Sequence, residues 1–181
     1  MTSLSIPASV TDIAGSAFNF CNNMTNIDVD SSNDVYRSVN GVLFDKKQTT
    51  LVHFPAGKKI DQYVIPNGVT NIGECAFCGC IWLNSVLIPT GVATIGNSAF
   101  YGCRGLVNIR IPDSVTSIEQ LSFTFCTSLT SIVIPPSVTN IGAFAFANCT
   151  NLTSFYFRGN APTIGEKAFV RCPNLNIYYL P

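Results

Sequence analysis

Charge is scarce in this chain. Only 11% of its 181 residues are Asp, Glu, Lys or Arg, and ten basic side chains cancel ten acidic ones. A neutral chain has no basic stripe for nucleic acid or an anionic bilayer. Its basic pairs, Lys46-Lys47 and Lys58-Lys59, are the size of ordinary solvated turns. Histidine is almost missing, with His53 the single copy. A Ser-His-Asp triad would have to recruit that one imidazole from a strand with no orienting partner in view. Such a lone histidine reads as an exposed strand residue. Gly-x-Gly-x-x-Gly and phosphate-loop patterns are absent, and the carboxylates fall at variable positions with no pair singled out for glycoside hydrolysis. No catalytic residues and no cofactor are therefore expected. No run of eighteen apolar residues occurs, so no membrane insertion is expected. The opening Met1-Thr2-Ser3-Leu4 has neither a charged nor an apolar leader region, so no signal peptide is expected in this chain.

Apolar residues, by contrast, make up 47% of the chain, ample for one continuous core. They recur with a fixed period. Ile65-Pro66, Ile88-Pro89, Ile111-Pro112 and Ile134-Pro135 follow one another at intervals of 23 residues. A constant period of that length describes a stack of near-identical coils, a repeat solenoid over residues 1–181 with about six repeats. Within a coil, pairs such as Val86/Ile88, Ile109/Ile111 and Ile132/Ile134 alternate with polar residues, the signature of a half-buried strand. The proline that follows lacks an N–H and suits the strand's end. Val-x-x-Ile, as at Val92/Ile95 and Val115/Ile118, reads as an extended side turning a corner. Ala-Phe, as at Ala76-Phe77 and Ala99-Phe100, reads as a short helical or 3₁₀ turn whose ring plugs the core. Stacked strands would form a parallel sheet.

One interruption breaks the period. From Ile6-Pro7 to Ile65-Pro66 the interval is 59 residues, 36 beyond one coil, and the excess falls at roughly 30–65. Two β-prone runs there, Val39 to Phe44 and Thr49 to Phe54, flank the polar Asp45-Lys46-Lys47-Gln48 and read as an inserted β-hairpin. Two roles are open for it. It projects and carries specificity through Tyr36, Arg37 and His53, or it is a spacer that widens the core.

Eight cysteines invite a metal or disulfide reading. Six of them (Cys21, Cys80, Cys103, Cys126, Cys149 and Cys172) occupy one repeat slot, which argues for small buried side chains in a ladder of free thiols. Stacked side chains point the same way, so their Cβ atoms lie further apart than the roughly 3.5–4.5 Å a disulfide wants. Cys75 and Cys78 add a Cys-x-x-Cys, yet zinc needs four ligands and the histidine is remote, so no metal is expected. No thioredoxin-like βαβ pattern surrounds the pair as a redox site.

The string Ile134-Pro135-x-x-Val138-Thr139-x-Ile141-Gly142-x-x-Ala145-Phe146-x-x-Cys149-x-x-Leu152 resembles the BspA-like, Treponema-type leucine-rich repeat, and the likeness covers almost the whole chain. Even the interruption is similar, with Tyr36-x-Ser38-x-Asn40-Gly41-Val42-Leu43-Phe44 leading to Phe54-Pro55-Ala56-Gly57. The resemblance implies a leucine-rich-repeat right-handed superhelix, β-rich, with a parallel sheet on its concave side. It further implies a non-catalytic, adhesin-like binder of host or matrix proteins, extracellular or at a cell surface. No ligand motif carries over residue by residue.

The positions where the repeat is silent are the candidates for recognition. Between the alternating core residues, an outward column runs Asp28, Leu87, Arg110, Val133, Tyr156 and Tyr179, with Asn26, Ser85, Asn108, Ser131, Ser154 and Ile177 beside it. Tyr and Arg among apolar neighbours have the composition of interface hot spots, so a protein partner contacting Arg110, Val133, Tyr156 and Tyr179 is expected. The alternative is that β-formers sit there for propensity alone. A second function, a structural solenoid spacer within a larger multidomain protein, stays open. So do two readings of the uncapped ends: the chain is a fragment, or copies self-associate end to end.

Overall fold

The computed structural model describes residues 2–19 and 21–180. Its strands are short because each coil has to turn three corners in 23 residues. Numbered in chain order, sixteen strands among the described residues fall into two stacked ladders. The first ladder runs through β1 (Ser3–Ile6), β2 (Asn26–Val29), β6 (Gln62–Val64), β8 (Ser85–Leu87), β10 (Asn108–Arg110), β12 (Ser131–Ile134), β14 (Ser154–Phe157) and β16 (Asn176–Tyr179). All pairings within it are parallel, but it comes in three segments: β1-β2, β6-β8-β10 and β12-β14-β16. The second ladder is continuous. It stacks the corner strands β7 (Asn71–Ile72), β9 (Thr94–Ile95), β11 (Ser117–Ile118), β13 (Asn140–Ile141) and β15 (Thr163–Ile164). At its start it is extended by β5 (Thr50–His53), β4 (Val42–Asp45) and β3 (Tyr36–Val39).

Stacking in register turns each repeated side chain into a column. The Ala-Phe rings of Phe77, Phe100, Phe123 and Phe146 lie 4.9, 5.1 and 5.1 Å apart, parallel to within 5°. That separation is close to the interstrand repeat of about 4.8 Å, so the ladders and the ring stack share one translation. All four rings are fully buried, and each contributes on the order of 1.5–3 kcal/mol by leaving water. The cysteine column lies alongside. Each thiol donates to the carbonyl of a Phe in the previous coil: Cys103 to Phe77 (3.0 Å), Cys126 to Phe100 (3.2 Å), Cys149 to Phe123 (3.1 Å) and Cys172 to Phe146 (3.1 Å). Cysteine suits the slot because it is nearly apolar yet carries one weak donor for a buried carbonyl. The described cysteines are free thiols.

The side that carries Ala-Phe is built differently from the expectation. Among the described residues, a 3₁₀ turn forms only in the first coil, at Gly15–Phe18. In later coils every second N–H is directed to the next coil instead of back along its own chain. Cys75, Phe77 and Gly79 donate to the carbonyls of Asn97, Ala99 and Tyr101, and Ser98, Phe100 and Gly102 repeat the pattern one coil on. Alternation of this kind needs left-handed residues. Cys75, Ser98, Leu121, Phe144 and Lys167 all have φ between 52° and 59°, a conformation that non-glycine residues adopt reluctantly. The intercoil bonds hold them there, so the coil buries a third hydrogen-bonded edge where a helix would have satisfied only itself.

The interruption resolves into one enlarged coil. Ile6 pairs with Val29, so β2 opens a normal second coil, and the following coil-to-coil step from Val29 to Ile65 is 36 residues, 13 more than standard. The excess forms the antiparallel hairpin β3–β4, whose Asn40-Gly41 turn has φ of 51° and 76°, the two-residue turn that matches strand twist. A second antiparallel turn joins β4 to β5, and β5 then takes the corner-strand slot beside β7. Val42, Leu43, Phe44 and Leu51 are fully buried. The Gly41 carbonyl accepts from the Ile27 N–H and Ser38 Oγ donates to the Ile27 carbonyl, so the hairpin covers the edge of β2. The insertion is a wedge in the core between the second and third coils.

Candidate functional site

The outward face of the first ladder is set by strand alternation: each inward Val, Ile or Phe sends its neighbours to solvent. Strand register aligns Val64, Leu87 and Arg110 across β6, β8 and β10. It aligns Val133, Tyr156 and Tyr178 across β12, β14 and β16. Val64, Leu87, Val133 and Tyr178 expose 59%, 47%, 41% and 43% of their surface, a large uncovered area for apolar side chains in one line. Tyr156 and Tyr178 stack with centroids 5.0 Å apart, which fixes both rings as a flat platform.

Two sequence expectations for this column change. Tyr179 does not belong to it. Asn176 pairs with Ser154, a step of 22 residues, so Tyr179 stacks on Phe157 at the open end of the core column and Tyr178 takes the outward place. Val64 belongs to it and was missed, although the Ile65-Pro66 signal stands directly after it. Asp28 is exposed but lies on β2, in register with Ser5 and separated from β6 by the hairpin wedge.

The column is split where the sheet is split. Neither β8 nor β14 is shared across the junction, so β10 and β12 face one another without a continuous ladder. Asn108 N–H bonds to the carbonyl of Asn84, the residue before β8. In a parallel strand the next residue directs its groups the other way, so the N–H and C=O of Ile109 point into the gap. A cleft of about 400 Å³ lies there, lined by Arg110, Ser131, Val133, Pro135 and Arg158 among others. Arg158 forms an exposed ion pair with Asp113 at 3.1 Å, joining the coil of β10 to that of β14. The cleft thus combines two guanidinium groups, apolar walls and backbone groups free to bond.

The insertion residues are placed otherwise than the projecting reading requires. Tyr36 is buried, and its hydroxyl accepts the Ile13 N–H at 3.0 Å, stitching the enlarged coil to the first. Asn33 completes that stitch. It donates to the Pro7 and Val10 carbonyls and accepts from the Val35 and Tyr36 N–H groups. His53 is not an exposed strand residue: it is 1% exposed, against the Phe18 ring at 4.7 Å, with neither ring nitrogen hydrogen-bonded. Burial pushes its imidazole down from 6.5 to about 4, the nearby Cys75 backbone offsetting this in part. Of the three, Arg37 alone reaches solvent.

Cys75 and Cys78 do engage each other. The Cys78 thiol bonded to Cys75 draws Cys75 down to about 7, against burial, while that same bond and burial push Cys78 up. Cys75 is nonetheless 5% exposed. Among the described residues, no group of three His, Cys, Asp or Glu side chains is placed to hold a metal, and no helix is long and apolar enough to cross a membrane.

The sequence matches the family described as BspA type leucine rich repeat region in six copies, over residues 1–64 and 53–176. Among solved structures, the fold is similar to a leucine rich cell surface protein of Faecalibacterium prausnitzii, with a TM-score of 0.91 and 34% identity. That match covers 100% of this chain and 48% of the other. The pneumococcal vaccine antigen PcpA matches with a TM-score of 0.88 and 26% identity, over 99% of this chain and 45% of its own. The leucine rich repeat protein of T. pallidum matches 69% of this chain and 61% of its own at 34% identity, with a TM-score of 0.64. The chain spans about half the length of the first two. No curated protein matches its sequence.

Proposed function

The chain belongs to the BspA-type leucine-rich repeat family, and from that premise we propose that it is a non-catalytic, adhesin-like module that binds a host or matrix protein at a cell surface. The observation that carries this reading is the outward column of Val64, Leu87 and Arg110 and, beyond the split, Val133, half-buried Tyr156 and Tyr178. Isolated exposed apolar residues need no explanation, but aligned ones that share a face with Tyr and Arg do. The β10–β12 cleft adds Arg158 and the unpaired groups of Ile109, which suit an extended segment of a protein partner. Support for the location comes from the two longer neighbours, one described as a cell surface protein and the other as a vaccine antigen.

The test is a double variant, Arg110→Ala with Tyr156→Ala, probed against immobilised matrix proteins. Circular dichroism should match wild type, because both side chains lie outside the core, and affinity should fall at least tenfold. Unchanged affinity for a partner that wild type binds would refute the outward column. The spacer reading rests on the 45–48% of the longer neighbours that this chain covers. It expects no binding by this segment at any matrix protein while the full-length protein retains it.

A further inference from the structure

The coil register brings together three residues that the repeat does not require. Cys80 to Cys103 is one coil, so Trp82 stands where the next coils carry Gly105 and Ser128. An indole there is not part of the scaffold: Trp82 is 45% exposed and its neighbour Ile81 49%. One coil earlier the same slot holds Lys59, whose Nζ lies 5.1 Å from the indole centroid. Among the described residues no carboxylate lies within ion-pair distance of Lys59, so its protein contact is with the ring's π-cloud and its charge stays available to an anion.

These side chains edge a depression of about 480 Å³, with Asn22, Asn23 and Thr25, just before β2, on the other side. Its floor is backbone. Gly57 sits where other coils carry the ladder cysteine, and its N–H bonds to the Met24 carbonyl at 2.8 Å. A Cβ at Gly57 would meet the Asn23 carbonyl carbon at 2.6 Å, so only glycine allows the two coils to close beneath the depression. The site lies at the wedge, where the second and third coils are joined by the enlarged step.

We propose that this depression binds an acidic saccharide, a pyranose carrying a carboxylate or sulfate. The indole offers a flat apolar face to the C–H face of a sugar ring. The Asn22 and Asn23 amides supply donors and acceptors for ring hydroxyls, the Thr25 hydroxyl, which donates to the Thr2 carbonyl at 2.9 Å, keeps its acceptor lone pairs, and Lys59 supplies the counter-charge for the acid. Ile81 and the indole form the apolar wall, and the Asn22 and Asn23 amides facing them give ring hydroxyls partners that a purely apolar peptide anchor would leave unused. The inference goes beyond the outward column and is independent of it.

Trp82 is the chain's single tryptophan, so emission excited at the red edge of the indole band, where the six tyrosines scarcely absorb, reports this site. The full chain would be titrated with 3′-sialyllactose, a sulfated disaccharide, neutral lactose and a hexaglutamate peptide. A saturable emission change is expected with at least one acidic sugar, at least tenfold weaker with lactose, and weakened tenfold or more by Lys59→Gln. The two acidic sugars distinguish carboxylate from sulfate. Lys59 is exposed, so the variant retains the wild-type circular dichroism spectrum. No saturable change with either acidic sugar overturns the proposal. So does a response unaffected by Lys59→Gln, or one that the peptide reproduces at the same concentration.

Discussion

Protonating His53 should destabilise this protein by a calculable amount. The imidazole is neutral and buried, its pKa moved from 6.5 to about 4 by desolvation. In the unfolded chain it titrates near 6.5, so between pH 6.5 and 4 the unfolded state binds the extra proton. Stability is therefore complete above pH 6.5 and declines as pH falls toward 4, below which this group adds no further loss. A shift of about 2.5 units at about 1.4 kcal/mol per unit gives a loss of about 3 kcal/mol across that window. Carboxylates also titrate at its lower end, so the wild-type profile alone does not isolate the effect. The comparison is with His53→Leu. Leucine fills the pocket beside Phe18 without the two unpaired ring nitrogens, so at pH 7 the variant should be as stable as wild type or more so. Urea unfolding followed by circular dichroism at pH 7.5, 6.5, 5.5 and 4.5 should give curves that diverge as pH falls. Parallel profiles would mean that His53 is solvated or paired in the folded state, and the reasoning would fail.

Phe100→Ala removes a fully buried ring stacked on both sides and should cost about 3–5 kcal/mol. Phe169→Ala, at the last, half-buried ring, should cost clearly less by the same urea assay, and equal losses would contradict a ladder of nearest-neighbour contacts. Cys126→Ala removes the thiol donor from the Phe100 carbonyl, which keeps the Cys103 N–H, so the loss should be about 0.5–1.5 kcal/mol. In the native state a thiol reagent should modify exposed Cys21 quickly and the buried Cys80, Cys103, Cys126 and Cys149 only after denaturation. Rapid modification of all eight would refute the buried column. Gly41 and Gly68 both have positive φ, but only at Gly41 would a Cβ meet a neighbour, Asn26 Oδ1 at 2.2 Å. Each glycine-to-alanine change should cost more than about 1 kcal/mol through backbone strain, with Gly41→Ala shifting the urea midpoint further; equal shifts would show that the hairpin turn does not press on β2.

Most of the architecture was legible because a 23-residue period is a statement about translation, and translation is what stacks coils. Details failed where a local count replaced a physical pattern. Aligning the last coil on Cys172 and Leu175 carried the 23-residue step one residue too far, and so selected Tyr179. The alternation of Ile177 and Tyr179 as inward residues was the better guide. His53 was misread for lack of the same argument: Leu51 and His53 are two apart on one strand and face the same side, so a buried Leu51 implies a buried His53. Tyr36 could not be placed from sequence, since its role depends on the Ile13 N–H in another coil. The outward column needed only alternation and was largely visible, whereas the β10–β12 split follows from no residue that distinguishes those strands. The pairing of Lys59 with Trp82 was hidden in a different way. It requires knowing that the enlarged step is one coil with 13 additional residues, which restores the register on its far side.

The constancy of that register between β8 and β14 has an evolutionary corollary. The surface a coil offers to its successor is the surface it accepts from its predecessor, since the same hydrogen bonds, rings and thiols recur one coil later. Loss or duplication of a whole 23-residue segment there would leave two severed faces that already fit, so recombination can shorten or lengthen the molecule without redesigning a joint. A change of any other length has to be absorbed inside a coil, as the 13 extra residues of the enlarged step are absorbed by β3, β4 and β5. The enlarged second step and the shortened final one are the places where such exchange is blocked, and they mark the fixed borders of a region whose length is free to vary in whole coils.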